Sequence, residues 1–344
     1  VARLSSHPEV ERVIGIDLVP GVSVDPRVQH VVLDLASDPA GPDRLALVLE
    51  GADSVIHLAW SHTAVGQSDG STGTAGSANL AAVRRVLDLA SALGTSSLVH
   101  LSSATVYGAW PDNPVPLSEE AAIRPNPGFT FAAEKAEAER LVAEWAADHP
   151  AIPVAVLRPA VTVGSAGPAL YQALAGTRSP RQDDSGRPMQ FLHVDDLAGA
   201  VELAWERRLA GVYNVAPNGW IGEDAARALA GGVAQLTLPG QLTRAVAAWS
   251  WRVWRTGTPK EALAYSIHPW VVANDRLRAA GWVYERSNEE ALVSTDDRSH
   301  WSDLPPSRRQ EMALVAAAGG LIATGAGLVA ATAAVIGRLR RRRG

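Results

Sequence analysis

Ser97–Gly108 reads Ser-Leu-Val-His-Leu-Ser-Ser-Ala-Thr-Val-Tyr-Gly, an apolar run that ends in two serines and a small-residue turn. A short continuous run of this kind fits a strand covered on both faces, as in a parallel sheet flanked by helices. Similar runs lie upstream at Arg12–Asp17, Val28–Asp34 and Ser54–Ala59, and downstream at Ile152–Arg158. Between them, Asp43–Glu50, Ala78–Leu93 and Thr130–Asp148 carry helical spacing. Strands alternating with helices predict βαβ units and an α/β, doubly wound parallel sheet. His62–Ser77, dominated by Gly, Ser and Thr, is expected to be a loop. Three successive strand ends, Asp17, Asp34-Leu35 and Leu58-Ala59, then fall on one edge, where such sheets bind ligands.

Each of those ends suits a dinucleotide. An acidic side chain at Asp17 can accept hydrogen bonds from an adenosine ribose and repel a 2′-phosphate, which favours NAD over NADP. Asp34 and Leu35 could flank the adenine, and at Leu58 and Ala59 the backbone must pass close to the cofactor. A glycine-rich turn meeting the pyrophosphate at a helix N-terminus normally precedes these features. No such motif stands before Asp17, and Gly66–Gly76 has the wrong context to replace it. Because the first residue is Val1 rather than Met, the first strand and phosphate turn are expected to be missing from this chain.

Taken with Asp17, the His57-Leu58-Ala59 strand end, Leu157-Arg158-Pro159-Ala160 and Phe191–Ala198, the SSATVYG stretch resembles the extended short-chain dehydrogenase/reductase family, in its NAD-dependent epimerase/dehydratase branch. The resemblance runs to about residue 292 and includes nucleotide-sugar epimerases. It implies a Rossmann-type domain over residues 1–160, N-terminally incomplete, and a small substrate-binding lobe over 161–295. It also implies NAD-linked chemistry on a nucleotide sugar or a related hydroxylated small molecule. By the family pattern, Ser103 hydrogen-bonds the reacting substrate oxygen, and Asn79, at the start of its helix, lies near the cofactor. Pro159 and Ala160 form the turn beside the nicotinamide, and His193–Asp196 anchors the second lobe. Lys135 holds the nicotinamide ribose. The family carries Tyr-x-x-x-Lys, with both side chains on one helical face, and the tyrosine exchanges a proton with the substrate hydroxyl. Here that position is Phe131, and no tyrosine lies between Tyr107 and Tyr171. Ser103 and Lys135 remain as catalytic candidates, with Tyr107 a weak substitute from the pocket wall. A catalytically degenerate NAD-binding or scaffold protein is the competing reading.

Other chemistries find little support. With no cysteine, thiolate zinc sites, disulfides and cysteine nucleophiles are excluded. The nine histidines form no H-E-x-x-H, and no metal site is expected. His57 and His100 lie in apolar runs and read as satisfied core residues. Asp195-Asp196 reads as helix capping with one solvated partner rather than an acid–base pair.

The net charge of -5 argues against a nucleic-acid partner, yet it combines two unlike parts. Five of the 31 basic residues are arginines within 338–344, so residues 1–337 carry 26 basic against 36 acidic side chains, or -10. Met312–Ile336 holds no charge and is long enough to cross a bilayer, which favours a transmembrane helix over 312–337 rather than a buried soluble one. Gly319, Ala323, Gly327 and Ala331 form a small-residue stripe suited to a helix–helix homodimer. Residues 296–311 read as a linker and 338–344 as a basic tail. The expectation is a membrane-anchored protein with a cytoplasmic body, since that is where NAD is available. The Trp- and Arg-rich Leu242–Arg255 fits either an amphipathic helix of the second lobe or a membrane-interface segment.

Overall fold

Each of the five apolar runs contains a strand. The computed structural model describes residues 1–37, 45, 47–61, 72–164, 186–229 and 260–294. They belong to one compact unit made of Val1–Ala230 and Thr237–Asp296. A second unit, Gly231–Leu236 and Asp297–Gly344, lies outside the described residues, and with it the expected span over 312–337 and the basic tail. The segment Leu242–Arg255 is also outside them. Among the described residues, no helix is long and apolar enough to cross a membrane.

A short helix α1 (Ala2–Ser6) leads into β1 (Val13–Asp17), which pairs in parallel with β2 (Val28–Val32). β3 (Ser54–His57) is followed by α2 (Thr72–Leu93), β4 (Ser97–Leu101), a 3₁₀ turn (Ala104–Tyr107) and α3 (Thr130–Asp148). β5 (Val154–Pro159) and β6 (Val161–Val163) come next, then β7 (Pro188–Met189) and β8 (Phe191–His193). The remaining elements are α4 (Val194–Glu206), β9 (Gly211–Val215), β10 (Ile221–Gly222), α5 (Glu223–Leu229), a 3₁₀ segment (Lys260–Ser266), α6 (Asp275–Ala279) and α7 (Asn288–Val293). The sheet order is β3-β4-β5-β9, all parallel, as the alternating pattern predicts. β1 and β2 form a separate two-stranded ladder, as do β6 with β8 and β7 with β10.

α2 begins inside the expected loop. Residues 72–77 are helical although they are small and polar, which places Asn79 eight residues into the helix rather than at its start. Small residues lack the apolar periodicity that signals a helix, yet they do not forbid one.

α3 decides the site. Phe131, Ala132, Lys135, Ala138, Glu139, Val142 and Trp145 are its buried residues, and steps of three and four put them on one face. Ala138, Val142 and Trp145 pack with Val83, Leu87 and Ala90 of α2, and with Leu98, Val154 and Val156 of the sheet. The same stripe carries two ionisable groups into the core, and a buried charge is tolerated only when partnered. Gly108, which closes the serine-bearing turn, has φ +71°, and a Cβ there would lie 2.2 Å from the Arg124 carbonyl oxygen. That position therefore requires glycine.

Candidate functional site

β4 delivers Ser102 and Ser103 to its carboxyl end, and both are buried. The Ser103 Oγ accepts the Thr105 backbone N–H at 3.2 Å and the Thr105 hydroxyl at 2.9 Å, capping the 3₁₀ turn. Its own hydroxyl proton remains for another acceptor. Lys135 donates from Nζ to the Leu101 carbonyl at 2.8 Å, which fastens α3 to the last residue of β4. The Trp60 ring covers the same ammonium, with Nζ 3.8 Å from the ring centroid. Burial lowers the Lys135 pKa to about 7, while the carboxylates of Glu139 and Glu134 pull the other way. Phe131, one turn earlier, is 2% exposed and meets Trp60 edge-on at 6.4 Å and Phe129 at 5.9 Å.

Beneath this arrangement lies a buried polar chain. Arg158 donates from Nε to both Glu139 oxygens at 3.0 and 3.1 Å, and from Nη2 to Oε2 at 2.5 Å. The Ser102 hydroxyl donates to the same carboxylate. Arg158 Nη1 donates to the Tyr107 hydroxyl at 2.8 Å, which in turn donates to Asn214 Oδ1 at 2.7 Å. Tyr107 therefore does not serve as a substitute acid on the pocket wall. It is 1% exposed, its proton is committed to Asn214, and burial raises its pKa. The network fixes the strand ends that carry Ser103 and Pro159, and Ala160 is pinned by its N–H to the Val215 carbonyl at 2.9 Å.

His57 and His100 are register partners on β3 and β4, and their Nδ1 atoms lie 3.0 Å apart. The expectation of satisfied core histidines is met at Nδ1 and fails at Nε2, which is buried and without a hydrogen-bond partner in both rings. Burial, then the charge of Lys135, lowers the His57 pKa to about 4; burial, then the charges of His57 and Lys135, lower that of His100 still more clearly. Between pH 4 and 6.5 the unfolded chain binds more protons at His57 than the folded one. Stability from this residue is thus present above pH 6.5 and is lost as pH falls toward 4, with a slope of at most about 1.4 kcal/mol for each pH step of one. Urea unfolding of wild type and His57→Asn across that window should show a shallower acid slope in the variant. Parallel slopes would mean that His57 titrates normally.

The residues assigned to the cofactor fall into two groups. Asp17 is exposed at the end of β1, where it accepts the Val19 N–H at 3.2 Å and leaves its carboxylate open to a ribose. Leu58 and Ala59 are exposed at the end of β3. Asp34 instead holds a local turn, accepting the Ala36 N–H at 2.8 Å and the Ser37 hydroxyl at 2.5 Å, and those bonds lower its pKa. The Leu35 carbonyl accepts Arg85 Nη1 at 3.1 Å. Asn79 bridges both backbone groups of Ser61, at 2.9 and 3.2 Å, and donates to Glu134 at 3.1 Å. Burial raises the pKa of that half-buried glutamate. Asp196 does not cap α4 but accepts the Glu285 and Arg286 N–H groups at 2.7 and 3.2 Å, while His193 Nδ1 caps the helix and Asp195 is the exposed member.

Sequence reasoning missed Trp60, Glu134 and Glu139. Glu139 was legible as a charged residue on the apolar stripe of α3, two turns after Phe131. Trp60 and Glu134 gave no periodic signal. Asp17 as an acceptor and Lys135 as a donor could hold NAD, with one condition: the Trp60 ring must leave Lys135 before a ribose can reach the ammonium.

The parallel sheet thus presents a serine just past the end of β4 and a buried lysine on the next helix. The family model for the NAD dependent epimerase/dehydratase family matches residues 35–216, more than half of the chain, and the chain belongs to that family. It is 28% identical over 221 residues to an uncharacterised protein of Mycobacterium tuberculosis, covering 63% of this chain and 58% of that one. To dTDP-glucose 4,6-dehydratase of Streptomyces niveus it is 28% identical over 179 residues, 49% of this chain and 51% of the other. The chain thus spans between half and three fifths of these relatives' lengths. In fold it is similar to UDP-glucose 4-epimerase of Thermus thermophilus in complex with NAD, with a TM-score of 0.61 at 20% identity over 82% and 89% of the two chains. Its likeness to dTDP-glucose 4,6-dehydratase of Streptomyces venezuelae with NAD bound has a TM-score of 0.60 at 20% identity over 84% and 87%.

Proposed function

We propose that this protein uses NAD, in preference to NADP, to act on a hydroxylated carbon of a nucleotide sugar or a related small molecule. The observation that carries this reading is the Lys135–Leu101 hydrogen bond, which holds the lysine under the strand end that presents Ser103. The relatives' printed activities and ligands, UDP- and dTDP-sugars with NAD, point to the same substrate class. The open carboxylate of Asp17 supports the preference for NAD, since it would repel a 2′-phosphate.

NAD, when bound, supplies the hydride acceptor and donor. The chain supplies orientation and protons. Ser103 offers its hydroxyl to the substrate oxygen, and burial, which lowers the Lys135 pKa to about 7, makes its proton easier to release than that of a free lysine. Trp60 and Phe131 exclude water from that ammonium. Phe131 itself moves no proton.

A second reading has its own support. Phe131 and the Trp60 ring over Lys135 both oppose turnover, which favours a catalytically degenerate NAD-binding or scaffold protein. In either case, the uncharged 312–337 segment serves as the membrane tether, its small-residue stripe pairs two copies, and the body faces the cytoplasm. Calorimetric titration with NAD and NADP, followed by turnover assays on UDP- and dTDP-hexoses, tests the proposal. NAD binding with sugar conversion supports enzymatic action; NAD binding without conversion supports the degenerate reading; absence of NAD binding sinks both. Trp60→Ala should return the Lys135 pKa toward the ordinary lysine range and tighten NAD binding, read by pH-dependent amine modification and calorimetry. If neither quantity moves, Trp60 does not control the site.

A further inference from the structure

The Ser103 Oγ accepts both the N–H and the hydroxyl of Thr105, at 3.2 and 2.9 Å. A serine oxygen has two lone pairs, so with both taken its own proton can only be donated in the direction left open. Thr105 thus sets where the Ser103 hydroxyl points. Thr105 is in turn held from 160 positions away, because the Tyr265 hydroxyl donates to its carbonyl oxygen at 2.7 Å. The same oxygen accepts the Gly108 N–H at 3.0 Å.

Tyr265 is fully buried, and its own carbonyl accepts Trp270 Nε1 at 3.0 Å and Arg187 Nη1 at 2.6 Å. Its ring meets Trp270 edge-on at 5.3 Å and Phe129 at 5.0 Å, and Phe129 meets Phe131 at 5.9 Å. Phe129 immediately precedes α3. Through its hydroxyl, one side chain of the 3₁₀ segment Lys260–Ser266 braces the turn that follows Ser103. Through its ring it braces the start of the helix that carries Phe131 and Lys135. Burial raises the Tyr265 pKa, so the hydroxyl keeps its proton and the donated bond persists. Packing does not account for that bond. Phenylalanine would fill the same aromatic space without a buried hydroxyl to satisfy, and Gly108 already supplies the Thr105 carbonyl with a donor.

We infer that Tyr265 is a positioning residue for Ser103: its hydroxyl, acting through Thr105, aims the Ser103 proton at the substrate oxygen. This rests on the reading of Ser103 as the hydroxyl that meets the substrate.

Hydrogen exchange at single amides, followed by NMR on the intact protein without NAD, tests the coupling. Tyr265→Phe deletes one oxygen and keeps the ring. It should speed exchange of the Thr105 N–H by about tenfold or more. The Leu98 N–H, bonded to the Pro153 carbonyl at 3.0 Å, should change by about twofold at most. Ser103→Ala removes the acceptor of the Thr105 N–H and shows the exchange rate of a lost cap. A general loss of stability would speed both amides alike. Single-turnover assays add the chemical readout. Tyr265→Phe should slow NADH formation by about tenfold with NAD affinity unchanged, and should add nothing in a Ser103→Ala background, since residues that act through one another are not additive. The proposal is overturned if the Thr105 and Leu98 amides respond equally, or if Tyr265→Phe slows the Ser103→Ala protein as much as it slows wild type. Exchange needs neither NAD nor sugar, so it decides the coupling even where NAD binding fails, and an equal response would leave the NAD reading standing.

Discussion

Phe131→Tyr is expected to raise sugar-nucleotide turnover by roughly 10²–10⁴-fold, the usual contribution of a positioned general acid–base group. The substitution keeps the helical face and the ring, and it adds a hydroxyl one turn before Lys135 on the stripe that α3 turns toward the end of β4. Lys135 needs no change of place, since its bond to Leu101 already sets it. The new hydroxyl enters a closed aromatic pocket with Trp60 and Phe129, where an unpartnered polar group costs free energy. Some loss of stability should accompany the gain in rate, and Trp60→Ala in the same chain should relieve it. Assays of initial velocity with UDP- and dTDP-hexoses at saturating NAD measure the effect. A rate that does not change would show that proton transfer has moved to another group.

The second large effect concerns stability. Glu139→Ala should cost about 3–5 kcal/mol, the range for removing one partner of a buried ion pair. The carboxylate is nearly inaccessible and takes hydrogen bonds from Arg158 and Ser102, so its loss leaves a charged guanidinium without its acceptor. Glu139→Met with Arg158→Met should recover much of that stability, because neither charge of that pair then remains buried. Denaturant unfolding of the two single variants and the double variant decides the point. If Glu139→Ala unfolds at the wild-type midpoint, the network does not hold the strand ends. The double variant separates stability from positioning. It should fold yet turn over more slowly, since Ser102 no longer fixes the end of β4.

The strands that carry the site were legible because burial on both faces leaves continuous apolar runs, and α3 was legible to both of its ends because its stripe repeats every three or four residues. The serines followed from their place after such a run. The first turns of α2 were not, since small polar residues leave no periodic trace. The departure at Phe131 could be read from spacing alone. Its consequence could not, because the Trp60 ring over Lys135 depends on how β3 and α3 come together. Tyr107 looked available for the same reason. Its commitment to Arg158 and Asn214 joins residues up to 107 positions apart.

The most direct measurement is a single-turnover reaction of the intact protein with NAD and a UDP- or dTDP-hexose, followed by the near-ultraviolet absorbance of NADH. Slow but measurable hydride transfer in the wild type and fast transfer in Phe131→Tyr is the expected result. Transfer at an ordinary enzymatic rate in the wild type, unchanged by the added tyrosine, would contradict the account.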